Sequence, residues 1–160
     1  MKRIICLILV LMCILPGCGH KEEAAFFYRR AEFQYGSEDS VIISEIRDIT
    51  GNTTNLPFLI SLYLLGPVDK DLISPFPADV KLLYVSLKDS NLTVSLTANH
   101  TMSESEFILA STCMALTCME ITDVDSVTVT SAERTVTIDS ALLTMYDSNI
   151  PTENTSGGQE

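Results

Sequence analysis

No tryptophan occurs in the 160 residues, and there are only two histidines, His20 and His100. The first absence removes the largest aromatic surface available for stacking on a sugar ring. The second leaves too little imidazole for most metal or acid–base chemistry. No H-x-x-x-H or E-x-x-H spacing brings a partner to either ring, and "NHT" around His100 reads as an exposed turn. Basic residues are also scarce, ten against 21 acidic ones, for a net charge of −11. Such a surface repels nucleic acid and anionic lipid head groups, which argues against nucleic-acid partners. The seven glycines form neither G-x-G-x-x-G nor a P-loop, and no G-x-S-x-G surrounds a serine. Asp69-Lys70-Asp71 and Asp123-Val124-Asp125 lack the glycine and terminal glutamate of a calcium loop. Neither a catalytic residue, a metal ligand nor a cofactor-binding residue is therefore assigned.

Long apolar runs are missing too, with one short exception. Ile4 to Leu15 is about 12 residues of unbroken hydrophobicity behind Lys2 and Arg3, whereas a membrane-spanning helix needs about 20. A basic start, a short apolar run and a small residue at its end are the marks of a secretory signal. Leu15-Pro16-Gly17-Cys18 resembles the lipobox of bacterial lipoproteins, with Pro16 where alanine or serine is usual. That resemblance implies cleavage between Gly17 and Cys18 and a lipid on Cys18, which becomes the first mature residue. Removing Lys2 and Arg3 leaves eight basic residues against 21 acidic ones, a net of −13. The expected organisation is a signal peptide over 1–17, a lipidated cysteine and tether over 18–25, one domain over 26–146, and a disordered polar tail over 147–160.

The domain reads as alternating strands and helices. Phe26 to Tyr35 and Val41 to Ile49 are strand-like, around a turn at Gly36 to Ser40. Leu56 to Leu65 has proline near its start and Gly66-Pro67 beyond its end, the start and stop signals of a short helix. Val80 to Lys88 and Leu92 to Ala98 form a hairpin whose inner set is Leu83, Val85 and Leu87 with Leu92, Val94 and Leu96. Ser103 with Glu106 makes a capping box that opens a helix to about Glu120. Phe107, Ala110, Met114 and Cys118 share one side of that helix, and Leu109, Cys113 and Leu116 lie opposite. Two apolar stripes mean packing between two layers, or one stripe against a partner; Leu109, Cys113 and Leu116 are the candidate partner surface. Cys113 and Cys118 point roughly 140° apart, too divergent to bridge within a helix, and read as small core residues. Glu45 and Arg47 share a strand face and read as a surface charge pair. Val127 to Val129 and Val136 to Ile138 form a last hairpin. The order ββαββαβ, with a further β where the last hairpin closes, predicts an α+β fold, one small mixed β-sheet with two helices packed on one face.

The segments "LISLYLLGPVDKDLISPFPADVKLLYVSLKDSNLTVSLTANH" and "LASTCMALTCMEITDVDSVTV" resemble a GerMN domain. That family is named for a sporulation and germination lipoprotein of spore-forming bacteria. The matching features are Leu64-Leu65-Gly66-Pro67 closing the first helix, Leu72 and Pro77 before a strand, Leu116-Thr117 near the end of the second helix, and an arginine at Arg47. Ser90-Asn91 stands where the family commonly has glycine after aspartate, and one domain is present where the founding type carries two. The resemblance implies a fold like the ring-building motif and a non-enzymatic protein without cofactors. It implies attachment to the outer face of the cell membrane through Cys18 and a role in assembling or stabilising envelope complexes in sporulation or germination. Its partners would be envelope and sporulation proteins, with peptidoglycan and a further copy of the chain as other candidates. The competing expectation is an extracytoplasmic lipoprotein that binds a small ligand or peptidoglycan.

Overall fold

The computed structural model describes residues 22–32, 40–132 and 134–141. Its first sheet is antiparallel, with order β2-β1-β3. β1 (Glu23–Arg30) pairs with β2 (Ile42–Asp48) along its length, from Glu23 opposite Asp48 to Arg29 opposite Ile42. β3 is only Leu72–Ile73 and meets β1 at Arg29 and Arg30. Between β2 and β3 lies helix α1 (Leu56–Leu64). Asn55 caps it by accepting the Phe58 N–H at 3.3 Å, and Pro57 occupies the first turn, where no donor is needed. Gly66, at φ +94°, takes the left-handed conformation that ends the helix, its N–H bonded to the Tyr63 carbonyl at 3.0 Å.

The second sheet is mixed, with order β4-β5-β6-β7. β4 (Leu82–Lys88) and β5 (Asn91–Leu96) form an antiparallel hairpin, as do β6 (Ser126–Ser131) and β7 (Arg134–Asp139). The two hairpins join through a parallel β5–β6 pairing. Parallel neighbours need a long crossover, and helix α2 (Glu104–Ile121) supplies it. Its capping box is formed as the sequence predicts, Ser103 N–H donating to Glu106 Oε2 at 2.8 Å and Glu106 N–H to Ser103 Oγ at 3.3 Å. The Ser103 N–H, with the Ser103 hydroxyl donating to the same Oε2 at 2.8 Å, holds the Glu106 carboxyl below its ordinary range.

α2 lies against β1 of the first sheet and against β6 and β7 of the second. Leu92, Val94, Leu96, Val127 and Val129 point inward from the second sheet, and Phe26 and Tyr28 from the first, all essentially buried. Contact with two layers explains the breadth of the helix's apolar surface. Its buried residues run from Cys113 through Met114 and Phe107 to Ala115, an arc of roughly 200° at 100° per residue. Of the two polar positions inside that arc, the Ser111 hydroxyl has no hydrogen-bond partner among the described residues, whereas Thr117 has work there. Thr117 Oγ1 accepts the Phe27 N–H of β1 at 2.9 Å and donates to the Cys113 carbonyl at 2.9 Å. β3 is too short to pair with Phe27, so the helix takes the place of a strand at that point.

The α+β class and the two helices are those expected, but the strands divide between two sheets rather than forming one. α2 inserts between β1 and the β6–β7 hairpin, so no continuous ladder runs between them. β1 also begins earlier than expected. Ala24 and Ala25 are buried strand residues, not tether. The end of the expected first strand, Phe33 to Tyr35, and most of the turn after it lie outside the described residues. In β4 an irregularity between Leu82 and Tyr84 shifts the register. Leu82 therefore stands opposite Leu96, and Leu83, expected inside, is exposed; Leu87, also expected inside and in register with Leu92, is exposed too, on the outermost strand of the sheet. Among the described residues no helix is long and apolar enough to cross a membrane.

Candidate functional site

Gly17 and Cys18 lie outside the described residues, as does the tail from 142 to 160. The expected stripe on α2 is placed clearly and is not one surface. Cys113 is fully buried, while Leu109 and Leu116 are half-buried. Its thiol points into the core, where burial pushes it up to about 12; burial does the same to Cys118. Both cysteines are free. They are core residues, as their spacing implied, and Cys113 drops out of the candidate partner surface.

Polar chemistry concentrates instead at two arginines, each lying over aromatic rings and holding a loop. Arg47 on β2 donates through Nε and Nη2 to Glu45 Oε2 at 2.8 and 2.6 Å, and through Nη2 to the Gly66 carbonyl at 2.7 Å. Glu45 in turn accepts the Val68 and Asp69 N–H groups at 3.0 and 2.8 Å. The guanidinium sits 5.2 Å from the Phe26 ring centre and 5.3 Å from that of Tyr28. The two side chains are only 10% and 13% exposed, so this is not the surface charge pair expected. It ties the segment after α1 to the first sheet. Tyr28 adds to the same tie, its hydroxyl donating to the Tyr63 carbonyl at 3.3 Å and its ring stacked 5.0 Å from that of Tyr63. Burial pushes both phenols upward.

Arg134, opening β7, does the same for the segment before α2. Its guanidinium lies 4.4 Å from the Phe107 ring centre, and it donates to the Met102 carbonyl at 3.0 Å and to the Asn99 carbonyl. Asn99 is buried, and its Oδ1 accepts from Thr101 N–H, Thr101 Oγ1 and Met102 N–H at 3.0, 2.9 and 3.1 Å. This is an Asx-type turn placed just ahead of the capping box. Sequence reasoning missed Arg134 and Asn99. The available signal was an Asn four residues before the N-cap serine, with an arginine at the start of a following strand. His100 beside it is exposed, as expected.

These clusters organise loops, and the named groups of Arg47, Glu45, Arg134 and Asn99 are engaged within the chain, whereas the buried Tyr63 hydroxyl has no hydrogen-bond partner among the described residues. Among the described residues no group of three or more histidine, cysteine or acidic side chains could hold a metal ion. The arrangement is two sheets, a shared central helix and two connections clamped by the arginines.

Comparison with known proteins agrees with this architecture. Residues 31–137, about two thirds of the chain, match the family model Germane, described as sporulation and spore germination. The protein belongs to this GerMN-domain family. The fold is also that of the tandem GerMN domains of the sporulation protein GerM from Bacillus subtilis, at a TM-score of 0.50 and 23% identity, covering 75% of this chain and 42% of that one. The chain thus spans less than half of the tandem protein. A Clostridium perfringens chain described as a lipoprotein aligns with a TM-score of 0.44 and 18% identity, over 76% of this chain and 81% of that one. No curated protein matches the chain at a significant level.

Proposed function

We propose that this protein is a non-enzymatic, lipid-anchored GerMN-domain module on the outer face of the cell membrane. There it assembles or stabilises envelope complexes used in sporulation or spore germination. The observation that carries the reading is a family domain placed directly behind a lipobox-like Leu15-Pro16-Gly17-Cys18. With β1 starting at Glu23, only Gly19 to Glu22 separate the proposed lipid from the fold. Four residues reach at most roughly 14 Å. The domain would lie against the membrane, with little freedom to reorient, which suits a component of a membrane-bound assembly better than a freely sampling ligand carrier. A non-catalytic role is favoured by the way polar side chains are used, since Arg47, Glu45, Arg134 and Asn99 are committed to loop ties.

Fractionation of cells expressing the full chain and Cys18→Ala tests the anchor. The native chain is expected in the membrane with a mass that includes acyl groups, and the variant is expected to lose them and its membrane retention. A fully membrane-bound Cys18→Ala chain would refute the anchor. Saturable binding of the protein to isolated cell walls, without any protein partner, would favour the glycan-binding alternative.

A further inference from the structure

The outer edges of β2, β3, β4 and β7 pair with no other strand among the described residues, and β3 is only two residues long. Open edges invite pairing with another chain, and proteins usually blunt them with charge. β2 carries Asp48, the largely buried pair Glu45 and Arg47, and one exposed apolar side chain, Ile46, and β7 carries Arg134 and Asp139. β4 differs: from Leu83 to Leu87 it holds no charge, and Leu83, Tyr84 and Leu87 are 60%, 55% and 61% exposed. The apolar surface continues onto α1, because Leu65, almost wholly exposed, lines one groove with Lys81 and Leu82.

We propose that β4 is a homodimer interface, pairing antiparallel with β4 of a second copy about a two-fold axis through Val85. Two-fold symmetry requires one residue to face itself. With Val85 on the axis, Leu83 of each copy faces Leu87 of the other, and Tyr84 faces Ser86. Lys81 then faces Asp89 of the second copy, one charge of each sign at both ends of the contact. Lys81 and Asp89 are both exposed and form no ion pair among the described residues. Neighbouring registers lose this match. An axis at Tyr84 sets Lys81 against Leu87, and one at Ser86 sets Leu83 against Asp89. Backbone geometry favours the same register. Lys88 and Asn91 close the two-residue hairpin as a mutually bonded pair, so alternation turns the N–H and C=O of Leu87 and Val85 away from β5. The irregularity in β4 lies at its Leu82 end, and Tyr84 to Lys88 keep unbroken register with β5. Pairing would fuse two four-stranded sheets into one and cover the apolar strip.

Disulfide trapping in the full-length chain tests the register. Residue 85 is the position that meets its own copy, so Val85→Cys is expected to give a disulfide-linked dimer under mild oxidation, several-fold more than Ser86→Cys. Chains carrying Leu83→Cys and Leu87→Cys should cross-link when mixed and only weakly alone. Buried Cys113 and Cys118 stay silent, and the unsubstituted chain, which carries the same Cys6, Cys13 and Cys18, is the control. Light scattering of the unsubstituted full chain in detergent should give twice the chain mass, returning to one chain mass in Leu83→Lys/Leu87→Lys. A monomeric unsubstituted chain overturns the proposal, as does a Val85→Cys thiol that a maleimide labels but that never cross-links. Cross-linking that arises only after deletion of residues 142–160 also overturns it, since the chain's own tail would then occupy the edge.

Discussion

Ala132 holds φ +54° in the two-residue link between β6 and β7, and Asp89 holds +52° in the link between β4 and β5. Left-handed backbone costs an L-residue about 1–2 kcal/mol, less for aspartate, whose short polar side chain bonds locally. Ala132 has no such compensation. Ala132→Gly is therefore expected to raise stability by about 0.5–1 kcal/mol, read as a higher urea midpoint at unchanged slope. An equal or lower midpoint would show that the strain is relieved elsewhere. At this scale the sequence was legible where a motif acts within one turn of chain. Ser103 with Glu106, and Gly66, both do what local chemistry implies. Arg47 and Arg134 were not legible as clamps, because their partners at Gly66, Asn99 and Met102 are distant in sequence.

Among the elements, α2 shows how a helix can stand in for a strand. Thr117 would be a mild liability in a helix interior, yet its hydroxyl bridges the Phe27 N–H and the Cys113 carbonyl. Thr117→Val keeps the shape and removes the acceptor, leaving a donor of β1 unpaired. The cost is expected to be about 1–3 kcal/mol, with amide exchange at Phe27 accelerating more than elsewhere in β1. Exchange unchanged at Phe27 would mean that water or a strand replaces the threonine. The same element explains why the stripe Leu109, Cys113 and Leu116 failed as a surface. Helical periodicity gives the angle between residues but not which sectors are covered, and α2 is covered over more than half its circumference. β4 went astray for a different reason. Alternation assigns Leu83 inward, but a one-residue irregularity puts Leu82 opposite Leu96 instead.

For the whole molecule, one core serves both sheets. Met114, fully buried on α2, belongs to the same cluster as Phe26 and Tyr28 of the first sheet and Leu92 and Val127 of the second. Truncating it should loosen both layers together. Met114→Ala is expected to cost about 2–5 kcal/mol while preserving a single cooperative transition. Exchange-protected amides in β1 and in β5 should then lose protection by equal amounts. Loss confined to one sheet would show that the sheets unfold separately and that α2 belongs to only one of them.

Rules that act over a few residues carry part of this fold. Helix limits, the capping box, the alternation of β5 and β6 and the α+β class all follow from residue spacing and turn chemistry within a few positions, whereas the two-residue strand β3 was not among the strands expected. The GerMN likeness was readable for the same reason, since its motifs are helix ends and strand alternation. Tertiary structure alone decided how many sheets those strands make, which sides of α2 are buried, and which loops the two arginines hold. Those outcomes depend on contacts between segments far apart in the chain, such as Phe27 with Thr117 and Arg134 with Met102. Their free energy exists only once the layers have met, so no short window of sequence contains it.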